Sequence, residues 1–493
     1  MEQELDRRMD SSALGTVGTL DEGIQEKEAT GQKRLGCGMY FIFVLLGTAI
    51  LMPFNCFITP GDYVFAFYPG DLYFSLCSSL NNVGNWSMMW VMLKFGHKLN
   101  ANVMVQVSLV VWLVALVMTP LVAIIIKDGG DPGTPEDDRV RSIRMGITGC
   151  LILICGAFNG VAFPMTFSVA SRLSWDMCQA IMNGNGVAGI VAVLINIIVT
   201  GVGMAIKSSN GNSYDDRNFL RYATLAYFVI SGILVGSCII AWNIVMKRFP
   251  ELKHDIHEDA SAGQGVVDPS ELNPKTGRRY TTVEISRHLV VPGIAVFLVF
   301  FITLSLFPQI TNMAGVFFYY RGNMIGNDTF HDKGLSPSSF TWWNLGLTAN
   351  FMVGDWIGRA IPKIEVLSRI KVVPILIFSC CRFVFLPLFL LFAVPRSTDG
   401  LTTAPALVKP FCESAGNCSN KGVIGADVIV QIIMLIFAIT NGYVGSVAMV
   451  RFVDCLPHMS YAGDGGRVMS LFLNTGLFFG SFTSLAISLL LSG

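Results

Sequence analysis

Long apolar stretches separated by short polar segments set the rhythm of this 493-residue chain. A helix needs roughly 20 mostly apolar residues to cross hydrocarbon, because lipid offers the backbone no hydrogen-bond partner and the helix must satisfy its own. Runs of that length are predicted at 36–59, 72–94, 101–126, 145–170, 178–206, 218–246, 289–312, 339–361, 371–394, 424–450 and 467–492. The expected fold class is therefore all-α, a polytopic membrane protein with eleven transmembrane helices. Residues 1–35 form a polar tail, and 247–288, with Gly263-Gln264-Gly265 and Asp268-Pro269, reads as a flexible linker.

That linker separates a bundle of six helices, 36–246, from one of five, 289–493. The division resembles a major-facilitator-like, two-bundle transporter without its last helix, its pathway lying between the bundles. An odd number of crossings puts the termini on opposite faces. With the N-terminus inside, the inner segments hold the tail's basic residues, Lys94, Lys98, Arg172, the seven of the linker, Lys363, Arg369, Lys371, Arg451 and Arg467, against about a dozen outside. This bias favours a cytoplasmic N-terminus and an extracellular C-terminus.

The glycosylation acceptors Asn327-Asp328-Thr329 and Asn417-Cys418-Ser419 both fall in loops that this topology places outside. A third match at Asn85 falls inside a predicted helix and reads as chance. Cys412 and Cys418 share the outer 395–423 loop, where a disulfide and two free thiols both stay open.

Composition agrees with a lipid solvent: 52% of residues are hydrophobic and 14% charged. Lys plus Arg equals Asp plus Glu at 34 each, so no basic face argues for a nucleic-acid partner. The start, Met1-Glu2-Gln3-Glu4, lacks the pattern of a cleaved leader. The 12 cysteines form no CxxC pair and the 6 histidines no zincin spacing, so no metal or other cofactor is expected.

Charges inside the apolar runs carry the candidate chemistry. Asp355 and Arg359 lie well within the eighth run, where each would cost roughly 2.5–3.5 kcal/mol at a helix centre facing lipid. Spaced i, i+4 they share a face and can pair, either lining a polar pathway or forming a structural ion pair. Arg382 is a third internal charge, placed to snorkel or to clamp a neighbouring helix. Asn55, Asn159, Gln179, Asn183, Asn441 and Asn474 are polar positions within runs, read one by one as interhelical glue. The segment Asn183-Gly184-Asn185-Gly186-Val187-Ala188-Gly189 is dense in small residues and predicts a tight helix crossing, with Gly184, Gly186 and Gly189 structural unless they also gate. Pro53, Pro164 and Pro387 invite kinks.

These residues together resemble the equilibrative nucleoside transporter family. Met52-Pro53-Phe54-Asn55 is similar to its Leu-Pro-Trp-Asn, and the 183–189 segment to its Gly-Gln-Gly-x-Ala-Gly. Asp355-Trp356-Ile357-Gly358-Arg359 matches Asp-Trp-x-Gly-Arg, Cys381-Arg382-Phe383 falls in the ninth helix, and Asn441-Gly442-Tyr443-Val444-Gly445-Ser446 resembles Asn-Gly-Tyr-x-x-Ser. The resemblance implies eleven helices, a cytoplasmic N-terminus, a large loop after helix six, and passage of nucleosides or nucleobases by alternating access. It implies that Asp355 and Arg359 coordinate the solute, Arg359 near the ribose hydroxyls, and that Asn159 stands where a glutamine hydrogen-bonds the base. Phe54 replaces a tryptophan and Asn159 is one methylene shorter than glutamine, two departures that bear on base selectivity.

The general look is closest to the protozoan, kinetoplastid-like branch of purine permeases, several of them coupled to protons. The expected function is plasma-membrane transport of purine nucleosides, facilitative or proton-coupled, with a nucleobase-selective proton symporter as the alternative. The expected partners are the solute, a coupling proton in the second case, and membrane lipid. An intramembrane aspartyl protease is a remote alternative. It would need Asp464 of Gly463-Asp464-Gly465 to face Asp355, and Asp464 reads as a loop residue beside Arg467.

Overall fold

The computed structural model describes residues 37–95, 99–126, 128, 134–210, 217–249, 272–274, 276–314, 337–364, 370–393, 396–398, 401–403, 407 and 420–492. The tail to residue 36, most of the 247–288 linker, Asn327, Asn417, Cys412 and Cys418 lie outside the described residues. The chain divides into two units, Met1–Phe41 and Ile42–Gly493, and every contact below lies within the second.

Helices account for nearly all described elements: α1 Cys37–Ile58, α2 Gly61–Phe67, α3 Gly70–Phe95, α4 Ala101–Ile125, α5 Pro135–Leu173, α6 Trp175–Asn210 and α7 Arg217–Arg248. α8 Thr282–His288 closes the linker, and after it come α9 Val290–Leu306, α10 Gln309–Ala314, α11 Pro337–Ala360, α12 Val372–Cys381, α13 Phe385–Ala393, α14 Asn420–Arg451 and α15 Ala462–Ser492. Two short antiparallel strands, Arg396–Thr398 and Leu401–Thr403, depart from a purely helical reading.

Among the described residues eight helices are long and apolar enough to cross a membrane, or nine if α8 and α9, bent by 76°, count as one span. α3 and α11 are 26 and 24 residues long but carry more polar side chains. In α3 those side chains point inward: Asn81, Asn82 and Asn85 are buried. Asn85 donates through Nδ2 to Asn474 Oδ1 on α15. Beside it Trp86 stacks on Phe478 at 4.7 Å and donates to Thr475 Oγ1 at 3.2 Å. Asn85 is thus a packing residue rather than a sugar acceptor.

Local chemistry fixes the helix ends. Thr134 accepts from the Asp137 N–H, Pro135 occupies the first turn, and Glu136, Asp137 and Asp138 complement the helix dipole. This polar first turn starts α5 ten residues before the apolar run at 145 that the sequence marks. The predicted helix at 371–394 is one apolar span, Val372–Ala393, that tightens into a 3-10 turn at Arg382–Val384, just ahead of Pro387, which has no N–H to continue the ladder. Pro53 and Pro164, by contrast, sit inside the unbroken α1 and α5.

Between the helices, close approach is set by glycine. A Cβ on Gly184 of α6 would overlap the Val44 carbonyl oxygen of α1, and Thr48 donates to the Gly184 carbonyl at 3.1 Å across that crossing. The main packing pairs are α3 with α5, α11 with α14, α9 with α15 and α4 with α7, while α3–α15 and α6–α11 join the helices before the linker to those after it.

Beside α4, Asp128 bridges two arginines, Arg144 of α5 and Arg221 of α7, each at 2.7 Å. Both guanidinium groups lie over the Phe67 ring of α2, at 5.3 and 4.9 Å. Burial acts to raise the Asp128 carboxyl, but the two arginines outweigh it and hold it below its ordinary value. A lowered folded value contributes stability above the unfolded Asp value of about 3.9 and loses it as pH falls through the folded one. Asp128→Asn is therefore expected to lower the unfolding temperature in detergent at neutral pH, with the gap to wild type closing below about pH 4.

Candidate functional site

The eighth apolar run becomes α11, which brings Asp355 and Arg359 one turn apart on a buried face, 5% and 3% exposed. Arg359 Nε donates to Asp355 Oδ2 at 2.7 Å. Their backbone can lie against α14 because Gly358 and Gly442 leave room: a Cβ on Gly442 would overlap the Asp355 carbonyl oxygen, and one on Gly358 the Ile439 carbonyl oxygen. On the other side α6 approaches equally closely. A Cβ on Gly186 would lie 3.0 Å from Arg359 Cδ, and one on Gly189 would run into Met352 Sδ.

Arg359 extends the pair to α6. Its Nη1 donates to the Met182 carbonyl at 3.3 Å, and the Gln179 side chain donates to the Arg359 carbonyl at 2.6 Å. Asp355 extends it to α14, where Asn441 Nδ2 donates to Oδ1 at 2.7 Å. Asn441 Oδ1 in turn accepts from Thr303 Oγ1 of α9 at 2.6 Å, and Thr303 accepts from Arg382 Nη2 at 2.8 Å. Arg382 is itself buried, lies over the Phe437 ring at 4.9 Å, and donates through Nη1 to the Phe437 carbonyl and to Thr440 Oγ1.

One hydrogen-bonded chain thus runs from Arg382 through Thr303, Asn441 and Asp355 to Arg359 and α6. It holds two guanidinium groups and one carboxylate, an excess of positive charge away from water. Such a site favours electron-rich oxygen and nitrogen acceptors. Among the described residues no protein group accepts from Arg359 Nη2.

The remaining sequence candidates stand apart from this chain. Asn183 is buried on α6 within the α1–α6–α11 crossing. Phe54 and Asn55 lie on α1 and Asn159 on α5, and among the described residues no hydrogen bond joins them to Asp355. Asn55 Nδ2 and Asn159 Oδ1 are both sealed from solvent without a partner, a cost of about 1–3 kcal/mol each. Asp464 occupies the first turn of α15, paired with Arg467, rather than a loop.

Thr303 gave no signal in the sequence, because a threonine in an apolar helix reads as back-bonding to its own turn. Asp427 was missed because it sits at the margin of its apolar run. It is 4% exposed, its Oδ2 has no partner, and it lines a cleft of about 370 Å³ with Trp343, Asn350 and Gln431. A second, hydroxyl-lined cavity includes Thr59, Asn196, Thr200, Thr224 and Tyr227. Asp355 and Arg359 line neither.

Residues 149–489 match a family described as Nucleoside transporter. Among similar proteins, Equilibrative nucleotide transporter 1 of Arabidopsis thaliana is 22% identical, covering 90% of this chain and 84% of its own. Equilibrative nucleoside transporter 1 of Mus musculus is 24% identical over 69% of this chain and 68% of its own. Nucleoside transporter 1 of Plasmodium berghei is 24% identical over 68% of this chain and 70% of its own. Of solved structures, the major facilitator superfamily transporter FucP in its outward conformation aligns with 92% of this chain and 98% of its own, at 10% identity and a TM-score of 0.46.

Proposed function

The chain belongs to the nucleoside transporter family, and from that premise we propose that it carries purine nucleosides across the plasma membrane by alternating access, with Asp355 and Arg359 binding the solute. The observation that carries this reading is the buried Asp355–Arg359 pair at 2.7 Å, tied by hydrogen bonds to α6, α9 and α14. A nucleoside joins a flat heteroaromatic base to a polyhydroxyl sugar. Arg359 offers its free amino group to sugar hydroxyl oxygens, and Asp355 accepts from a hydroxyl once Asn441 yields.

For the base, the support lies on α1 and α5. Phe54 supplies a stacking face, while Asn55 Nδ2 and Asn159 Oδ1 supply an unpartnered donor and acceptor, the complement of a base edge. A bound base would remove the cost of leaving both groups unpaired. Gly184, Gly186 and Gly189 hold α6 against α1 and α11 and are the positions where relative motion of these helices meets least side-chain bulk. We count α3, α11 and the bent α8–α9 pair as crossings beside the eight apolar helices, which makes eleven on this reading. The 247–288 linker then falls between six and five of them, with the N-terminus inside and Asn327 and Asn417 outside, glycosylated. Within the family we assign the chain to the protozoan, kinetoplastid-like branch, on the general look of its sequence with a long acidic N-terminal tail.

Uptake of labelled adenosine, inosine, uridine and hypoxanthine in a transport-deficient host tests the proposal. Saturable uptake that prefers adenosine and inosine is expected. Preference for hypoxanthine selects the nucleobase alternative, and absence of saturable nucleoside uptake contradicts the reading. A pH jump during uptake separates proton-coupled from facilitative transport.

A further inference from the structure

The chain from Arg382 to Asp355 passes through one hydroxyl. Thr303 Oγ1 has a single proton and two acceptors within reach, the Val299 carbonyl at 2.8 Å in its own helix and Asn441 Oδ1 at 2.6 Å on α14. Arg382 Nη2 donates to that oxygen at 2.8 Å, so the hydroxyl accepts from the guanidinium and must send its proton to one of the other two. The choice matters at the next link. While Thr303 donates to Asn441 Oδ1, the amide is oriented with Nδ2 toward Asp355, which it binds at 2.7 Å. When Thr303 turns to Val299, Asn441 Oδ1 loses its donor and the amide is free to rotate, which releases Asp355 Oδ1 as an acceptor.

We propose that Thr303 is a positioning residue for solute binding, its hydroxyl proton selecting whether Asn441 holds Asp355 or yields it to the solute. Resting on the reading of Asp355 as a solute ligand, this assigns a place in recognition to α9, a helix with no ionisable side chain of its own. Arg382 is the fixed end of the relay. It is anchored on α14 by Phe437 and Thr440, and it keeps the Thr303 oxygen occupied so that the proton has only these two destinations. A purely structural role for Thr303 would be met by the bond to Val299 alone.

The test uses full-length protein in the transport-deficient host, with surface abundance measured for each variant. Thr303→Val keeps the volume and removes the hydroxyl, whereas Thr303→Ser keeps the hydroxyl. The valine variant cannot donate to Asn441 and is therefore held in the arrangement that yields Asp355, so it is expected to lower the KM for adenosine about tenfold, the effect of one hydrogen bond no longer competing with the solute. It is also expected to widen the preference for adenosine over an analogue lacking both ribose hydroxyls, while the serine variant stays near wild type in both. A wild-type or raised KM with wild-type preference in the valine variant overturns the proposal, as does an equal shift in the serine variant. Should the valine variant fail to reach the surface, Thr303→Cys is read in its place: its weaker donor predicts a KM lowered severalfold, and an unchanged KM overturns the proposal. Absence of saturable uptake by wild type would instead count against the nucleoside reading itself.

Discussion

Arg359→Ala is expected to lower nucleoside uptake at least about a hundredfold, because two hydrogen bonds involving a charged group contribute roughly 1.5–3 kcal/mol each. The loss has two sources. In the proposed site Arg359 is the donor to the solute, and it neutralises Asp355, which is 5% exposed and would keep Asn441 alone. Removing one partner of a buried pair costs about 3–5 kcal/mol, so reduced yield is expected beside lost transport. Arg359→Lys separates the two sources. It retains a charge for Asp355 but lacks the planar fork that also reaches the Met182 carbonyl. Initial-rate uptake normalised to surface abundance should therefore fall about tenfold for lysine, between wild type and alanine.

The second large effect is steric. Gly442→Ala would drive a Cβ into the Asp355 carbonyl oxygen and to 2.9 Å from the Arg359 backbone nitrogen. Those atoms belong to a helix backbone and have no rotamer to move into. α11 and α14 must separate, at about 1–3 kcal/mol for an overpacked contact, and the Asn441–Asp355 bond one residue away lengthens with them. Thermal unfolding in detergent and uptake should both suffer. Gly346→Ala on α11, the helix that Gly442 packs against, is the control, since a Cβ there meets nothing within 4 Å. It should leave uptake intact and match or raise the unfolding temperature, alanine being the better helix former by about 1 kcal/mol.

How far the sequence reaches is decided by what each residue depends on. Apolar length is local, so α4, α7 and α14 follow from hydropathy alone. Charge in an apolar run is also local, which is why Asp355, Arg359 and Arg382 stand out in the sequence. The start of α5 at Pro135 depends on capping and acidic first-turn residues, and the apolar pattern passes over these. Pairings depend on tertiary structure. Nothing near Asn441 in the sequence names Thr303 or Asp355 as partners, and the glycine at 442 declares a close approach without saying to what. Asn55 and Asn159 read as interhelical glue, yet each keeps a buried amide atom without a partner.

The central claim is that Asp355 and Arg359 bind a nucleoside in transit, and initial-rate uptake of labelled adenosine at matched surface abundance tests it most directly. Saturable uptake by wild type, with Asp355→Ala and Arg359→Ala each near the level of untransfected cells, is the predicted result. Both variants at the surface with wild-type KM and rate would contradict it and reduce the pair to a structural ion pair.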